Sequence, residues 1–195
     1  MEQTGVQRLA RVLRWLVLAV LGANLIALLL VPGIAAFVTD GGPGMLLQAI
    51  RGEVERWLRQ GEHFPLLTVF GLSWFAVWTQ PYTAVITLFY WLCGGCTAVI
   101  LWQAKRVLDT ILAGKPFSRT NSVCMKRAAA SCWVISAVAL VRMVLWLAIE
   151  GNIAPVFTYN TLFVPAFFMA GLLFLVMSAL FRQAAELKED QDLTI

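Results

Sequence analysis

Four apolar runs, each long enough to cross hydrocarbon, constrain this chain of 195 residues more than any other feature. They fall at about 15–38, 82–104, 128–149 and 162–181. At about 1.5 Å of helical rise per residue, the first reaches about 36 Å and the others about 30 to 35 Å, against a hydrocarbon core of about 30 Å. A helix of a soluble domain needs one apolar stripe, whereas these runs are apolar on every side. With 60% hydrophobic residues, 13% charged residues and a mean hydropathy of +0.78, the chain lacks the polar surface of a soluble globule. The expected fold is an all-α integral membrane protein, a single membrane domain over residues 1–195 built as a four-transmembrane-helix bundle.

A fifth run, 64–78, is shorter, begins at Phe64-Pro65 and stops just before Pro81. Counting it would place the basic segment 105–127 outside, so it is set aside. With four spans, Arg8, Arg11 and Arg14, the six Lys and Arg of loop 105–127, and Arg182 and Lys188 in tail 182–195 share one side, which makes 11 of the 15. Basic residues concentrate on the cytoplasmic side of a bilayer. The expected location is therefore a bacterial inner membrane, with both termini and the loop cytoplasmic. The Arg-rich start followed by an apolar run resembles a signal peptide, but the run is too long, and we expect a retained span.

The outer segment, 39–81, carries Leu46, Leu47, Ile50, Val54, Trp57 and Leu58 at helical spacing, with Arg51, Glu53, Glu55, Arg56 and Arg59 mostly opposite. An extra outer amphipathic helix is expected over 45–59, lying either on the leaflet or as a lid over the bundle. Stretch 64–78, with Trp74 and Trp78, reads as interfacial or re-entrant.

Loop 105–127 continues span two as a helix, since Val107, Leu108, Ile111 and Leu112 form a stripe and Lys105 stands four residues before Asp109. Gly114 is placed to end that helix, Pro116 follows, and Ser118 or Asn121 can cap the next.

Few residues invite chemistry. Cys93 and Cys96 form a C-x-x-C pair inside span two, which suits a thiol oxidoreductase only with a second thiol pair on the oxidising face, and the outer segments hold no cysteine. As small residues, Cys93, Gly94, Gly95 and Cys96 also serve close helix packing. Arg142 is the one clear charge inside a span; it can snorkel, meet Glu150 or Trp146, or recognise a ligand. Asn24 is a second intramembrane polar residue, for which an interhelical hydrogen bond is expected. His63 has no companion at metal-ligand spacing, so no metal site is expected. Catalytic and cofactor motifs are absent from the sequence, so an enzyme is not expected. The basic residues flank apolar runs instead of lining a stripe with stacking aromatics, which argues against direct nucleic-acid binding.

Two short segments carry a resemblance: Gly114-Lys115-Pro116-Phe117-Ser118 with Asn121, and the terminal run Glu186 to Ile195. Together they resemble the bacterial membrane family known as domain of unknown function 2975, from about span two to the C-terminus. The resemblance implies four spans and no established activity. Its members are often encoded beside a small helix-turn-helix regulator, which implies such a regulator as a partner. Lys115, Phe117, Ser118 and Asn121 in the loop, and Asp192, Leu193, Thr194 and Ile195 in the tail, are then the expected partner-binding residues.

The expected function is a non-enzymatic membrane sensor or scaffold that engages a cytoplasmic protein. The alternative is a lipid or small-molecule binding or transport protein with a site near Arg142. A homo-oligomer is compatible with either.

Overall fold

The computed structural model describes residues 5–39, 55, 59, 74, 78, 81–150 and 159–192. Four long helices account for nearly all of them: α1 (Gly5–Thr39), α2 (Pro81–Leu112), α3 (Arg119–Glu150) and α4 (Phe163–Asp192), the last preceded by a 3-10 turn at Tyr159–Leu162. Among the described residues there is no strand. Each helix takes in one expected span, the fourth from its second residue, and overruns it at one end or both. At 35, 32, 32 and 30 residues they extend about 45 to 52 Å, beyond the hydrocarbon thickness. All four are long and apolar enough to cross a membrane, so the protein is a multi-pass membrane protein.

Side-chain burial is inverted relative to a soluble bundle. Leu16, Ile26, Leu173 and Val176 are each more than half exposed, while the enclosed positions hold Cys124, Ala128, Ala129, Cys132 and Ser136. Small residues let helices approach closely where lipid is as apolar as leucine and hydrophobic burial supplies no drive between helices.

The chain forms two compact units, Met1–Leu25 with Cys93–Ile195, and Ile26–Leu92. In the second, Pro32 lies inside α1, which runs on to Thr39. A proline cannot donate to the carbonyl four residues back, here that of Leu28. The indole Nε1 of Trp91 donates to that oxygen instead, at 3.1 Å. A freed backbone acceptor at membrane depth needs such a donor. Trp91 also lies 5.3 Å, ring to ring, from Trp74. Thr87, fully buried, donates back to the Thr83 carbonyl at 2.8 Å and so brings no unmet hydroxyl into the unit. The outer amphipathic helix expected over 45–59 lies outside the described residues, apart from Glu55 and Arg59, which are helical and exposed; of 64–78 only Trp74 and Trp78 are described.

In the first unit, α3 and α4 pack as an antiparallel pair. Ser178 Oγ donates to the Ser122 carbonyl at 2.8 Å, and the two hydroxyls lie 3.0 Å apart. Toward the other end, Ser136 Oγ donates to the Val164 carbonyl at 2.8 Å. Between them, Gly171 lies against the Trp133 indole so closely that an added Cβ would meet the ring.

Candidate functional site

The turn between α2 and α3 is built by its sequence. Gly114, with φ of +72°, ends α2 in the left-handed conformation that glycine adopts without a Cβ penalty. Its N–H donates to Ile111 O at 3.1 Å, and the Lys115 N–H donates to Thr110 O at 3.0 Å. This is the paired closure of a Schellman motif. Pro116 then prevents helix from resuming, and α3 starts at Arg119.

Asn121 locks this turn from within. It is completely buried; Nδ2 donates to the Pro116 carbonyl at 2.7 Å, and Oδ1 accepts from Thr110 Oγ1 at 2.8 Å. One side chain thereby fixes the turn backbone and joins α2 to α3. The expectation that Asn121 presents itself to a partner is corrected: a side chain with no exposed surface supports the face from behind. Ser118 is only partly exposed, its Oγ buried without a hydrogen-bond partner, and its carbonyl rather than its hydroxyl accepts the Asn121 N–H at 3.0 Å. Lys115 and Phe117 do face outward, with Phe117 54% exposed.

The charged end of α4 is held beside this turn. Arg119 forms a two-pronged pair with Glu189, Nε to Oε1 at 3.1 Å and Nη2 to Oε2 at 2.7 Å. Ala185 is buried, while Leu187 is 64% exposed. The α4 extension is therefore docked on one side and open on the other. Asp192 is the last described residue, and its side chain and Leu193, Thr194 and Ile195 lie outside the described residues. On the α1 side, Asp109 is 2.9 Å from Arg14 Nε and accepts a hydrogen bond from Lys105 at 3.0 Å; the Arg14 N–H is not aligned to hydrogen-bond.

The intramembrane candidates give less. Arg142 is partly buried, engaged within the fold and within electrostatic reach of Cys93. The side chain of Glu150 lies outside the described residues. Asn24 is partly buried, and its Oδ1 has no hydrogen-bond partner, so that oxygen does not make the expected interhelical bond. Cys93, Cys96, Cys124 and Cys132 are all free thiols. Among the described residues no group of three His, Cys, Asp or Glu is placed to hold a metal.

The turn and the charged end of α4 are also where the sequence motifs lie, and a family model described as Protein of unknown function (DUF2975) matches residues 59–195. The chain belongs to this family. The match begins upstream of the second span, so it takes in part of segment 39–81 as well as the three following helices. No curated protein and no solved structure matches the chain. Within this DUF2975 chain, sequence reasoning missed Thr110, the Ser122–Ser178 contact and the Arg119–Glu189 pair. Each links helices through residues far apart in sequence or spaced by the turn, and no local pattern announces them.

Proposed function

We propose that this chain is a non-enzymatic scaffold or sensor of the bacterial cytoplasmic membrane, docking a soluble cytoplasmic protein on the face formed by the α2–α3 turn and the end of α4. The distribution of Lys and Arg supports the sidedness, with 11 of the 15 in the N-terminal segment, the turn region and the tail.

The observation that carries the reading is the position of Phe117. The hydrocarbon ends near the basic pairs Lys105-Arg106 on α2 and Lys126-Arg127 on α3. From Arg106 to the end of α2, and from Lys126 back to the start of α3, the helices rise about 9 to 10 Å further. The headgroup layer adds only about 5 to 7 Å on each side of the core. Phe117 is exposed on a locked turn beyond that reach, so lipid is poorly placed to cover it. Aromatic side chains, phenylalanine among them, are enriched at the cores of protein–protein interfaces relative to the rest of the surface. Lys115 beside it favours an acidic partner surface, and Leu187 on the open side of α4 offers a second apolar contact.

The family resemblance makes a helix-turn-helix regulator the first partner to seek, with Asp192, Leu193, Thr194 and Ile195 as a second docking element. The test is co-purification of detergent-solubilised protein carrying Phe117→Ala or lacking residues 192–195. Loss of one cytoplasmic partner in both is expected; retention of every partner in both would refute the docking role.

A further inference from the structure

The cations at this end of the bundle divide into two sets. Arg14 and Lys105 meet Asp109, Arg119 meets Glu189, and Arg182 meets Glu186. Arg8, Arg11, Arg106, Lys115, Lys126, Arg127 and Lys188 are exposed, and none is within ion-pair distance of a carboxylate among the described residues; of these, Arg106, Lys126 and Arg127 lie on α2 and α3 between the spans and the turn.

Those three stand at one level. The Thr110–Asn121 hydrogen bond fixes the register between α2 and α3. Arg106 lies four residues from Thr110, and Lys126 and Arg127 lie five and six from Asn121. All three therefore sit about 6 to 9 Å from that bond along the helix axes, on the hydrocarbon side of it. Beyond them toward the spans the surface is apolar: Val99 and Trp102 on α2 and Val134 and Val141 on α3 are exposed, the last two at i+7 and i+14 from Arg127. Lys105 is 5.1 Å from the Trp102 ring centroid, the aromatic and cation pairing found at headgroup depth.

We infer that Arg106, Lys126 and Arg127 form a binding site for the phosphate headgroup of an anionic phospholipid. Charge complementarity and continuity with the lipid-facing surface point to the same occupant. A phosphodiester placed there meets the cations while its acyl chains lie along the exposed apolar residues of α2 and α3. Arginine adds planar donors suited to phosphate oxygens, which a zwitterionic headgroup presents beside its own cation. The inference rests on the membrane-spanning fold and not on the docking role, so the two fail separately.

The test uses the purified full-length protein in detergent, where insertion topology does not enter. It is exposed to equal amounts of phosphatidylglycerol and phosphatidylcholine, and retained lipid is measured by native mass spectrometry, with melting temperature in each lipid alongside. The wild type is expected to retain phosphatidylglycerol preferentially and to melt higher with it. Each cation contributes about a factor of five at an anionic surface, so Arg106→Gln/Lys126→Gln/Arg127→Gln should bind about a hundredfold more weakly. Lys115→Gln, on the turn, and the charge-preserving Arg106→Lys/Arg127→Lys should keep the preference. Equal retention of both lipids, an unchanged triple variant, or as large a loss in Lys115→Gln would overturn the site. Displacement by millimolar inorganic phosphate would overturn it too, in favour of free phosphate.

Discussion

The Trp91 indole donates to the Leu28 carbonyl at 3.1 Å, occupying the acceptor that Pro32 leaves free in α1. Helix α1 is thus completed by a residue of α2. Trp91→Phe should destabilise the protein by about 1 to 2 kcal/mol, combining a lost hydrogen bond with weaker packing on Trp74. In a Pro32→Ala background the helix can make its own bond to Leu28, so the cost should shrink. Unfolding of both single variants and the double variant in mixed micelles measures the coupling. Simple additivity would show that the indole does not compensate for the proline.

Asn121 should be the most sensitive position of the turn. Asn121→Ala leaves the Pro116 carbonyl without its donor and opens a void beneath the turn, at an expected cost of about 2 to 4 kcal/mol. Thr110→Val opens no void and leaves the Asn121–Pro116 bond in place, so it should cost less, its penalty being the buried Asn121 Oδ1 left without a donor. The same assay ranks the two, and the opposite order would contradict the role assigned to Asn121.

Gly171→Ala introduces a methyl into the space occupied by the Trp133 indole. Trp133 is 37% exposed and can swing outward, so the expected penalty is about 1 to 3 kcal/mol rather than loss of the fold. Trp133→Ala should suppress the effect of the second change. A fully additive double variant would mean that the ring is not what limits this position.

The Arg119–Glu189 pair is more than half exposed on both sides, and such pairs contribute about 0 to 1 kcal/mol. Stability should therefore barely change in Arg119→Glu or Glu189→Arg. Partner capture should fall in each single variant and recover in the double exchange, because the pair holds the end of α4 beside the turn. Capture that is indifferent to all three would detach α4 from the docking face.

Much of this was legible in the sequence because hydrocarbon imposes a length. The four apolar runs lie within the observed helices, and Gly114 ends α2 as its position before Pro116 foretold. The charged tail continues α4 to Asp192. Local patterns failed where tertiary contacts decide. No local pattern pairs Trp91 with the Leu28 carbonyl, and Asn121 reads as a surface residue only while Thr110 and Pro116 are not seen around it. Helical overhang past the spans was legible too, because the 107–112 stripe and the caps at Ser118 or Asn121 put Lys126 and Arg127 within a helix rather than at its end. They form a belt inside α3.

The central claim is that the turn and the end of α4 meet the same soluble partner. A photoreactive side chain placed in living cells at position 117, and separately at 187, tests it most directly, with position 176 on the lipid-facing surface of α4 as reference. One cytoplasmic protein should be crosslinked from both 117 and 187, be absent from 176, and be diminished at both by Arg119→Glu. Crosslinks from 117 and 187 confined to lipid, or to proteins equally captured from 176, would contradict that claim.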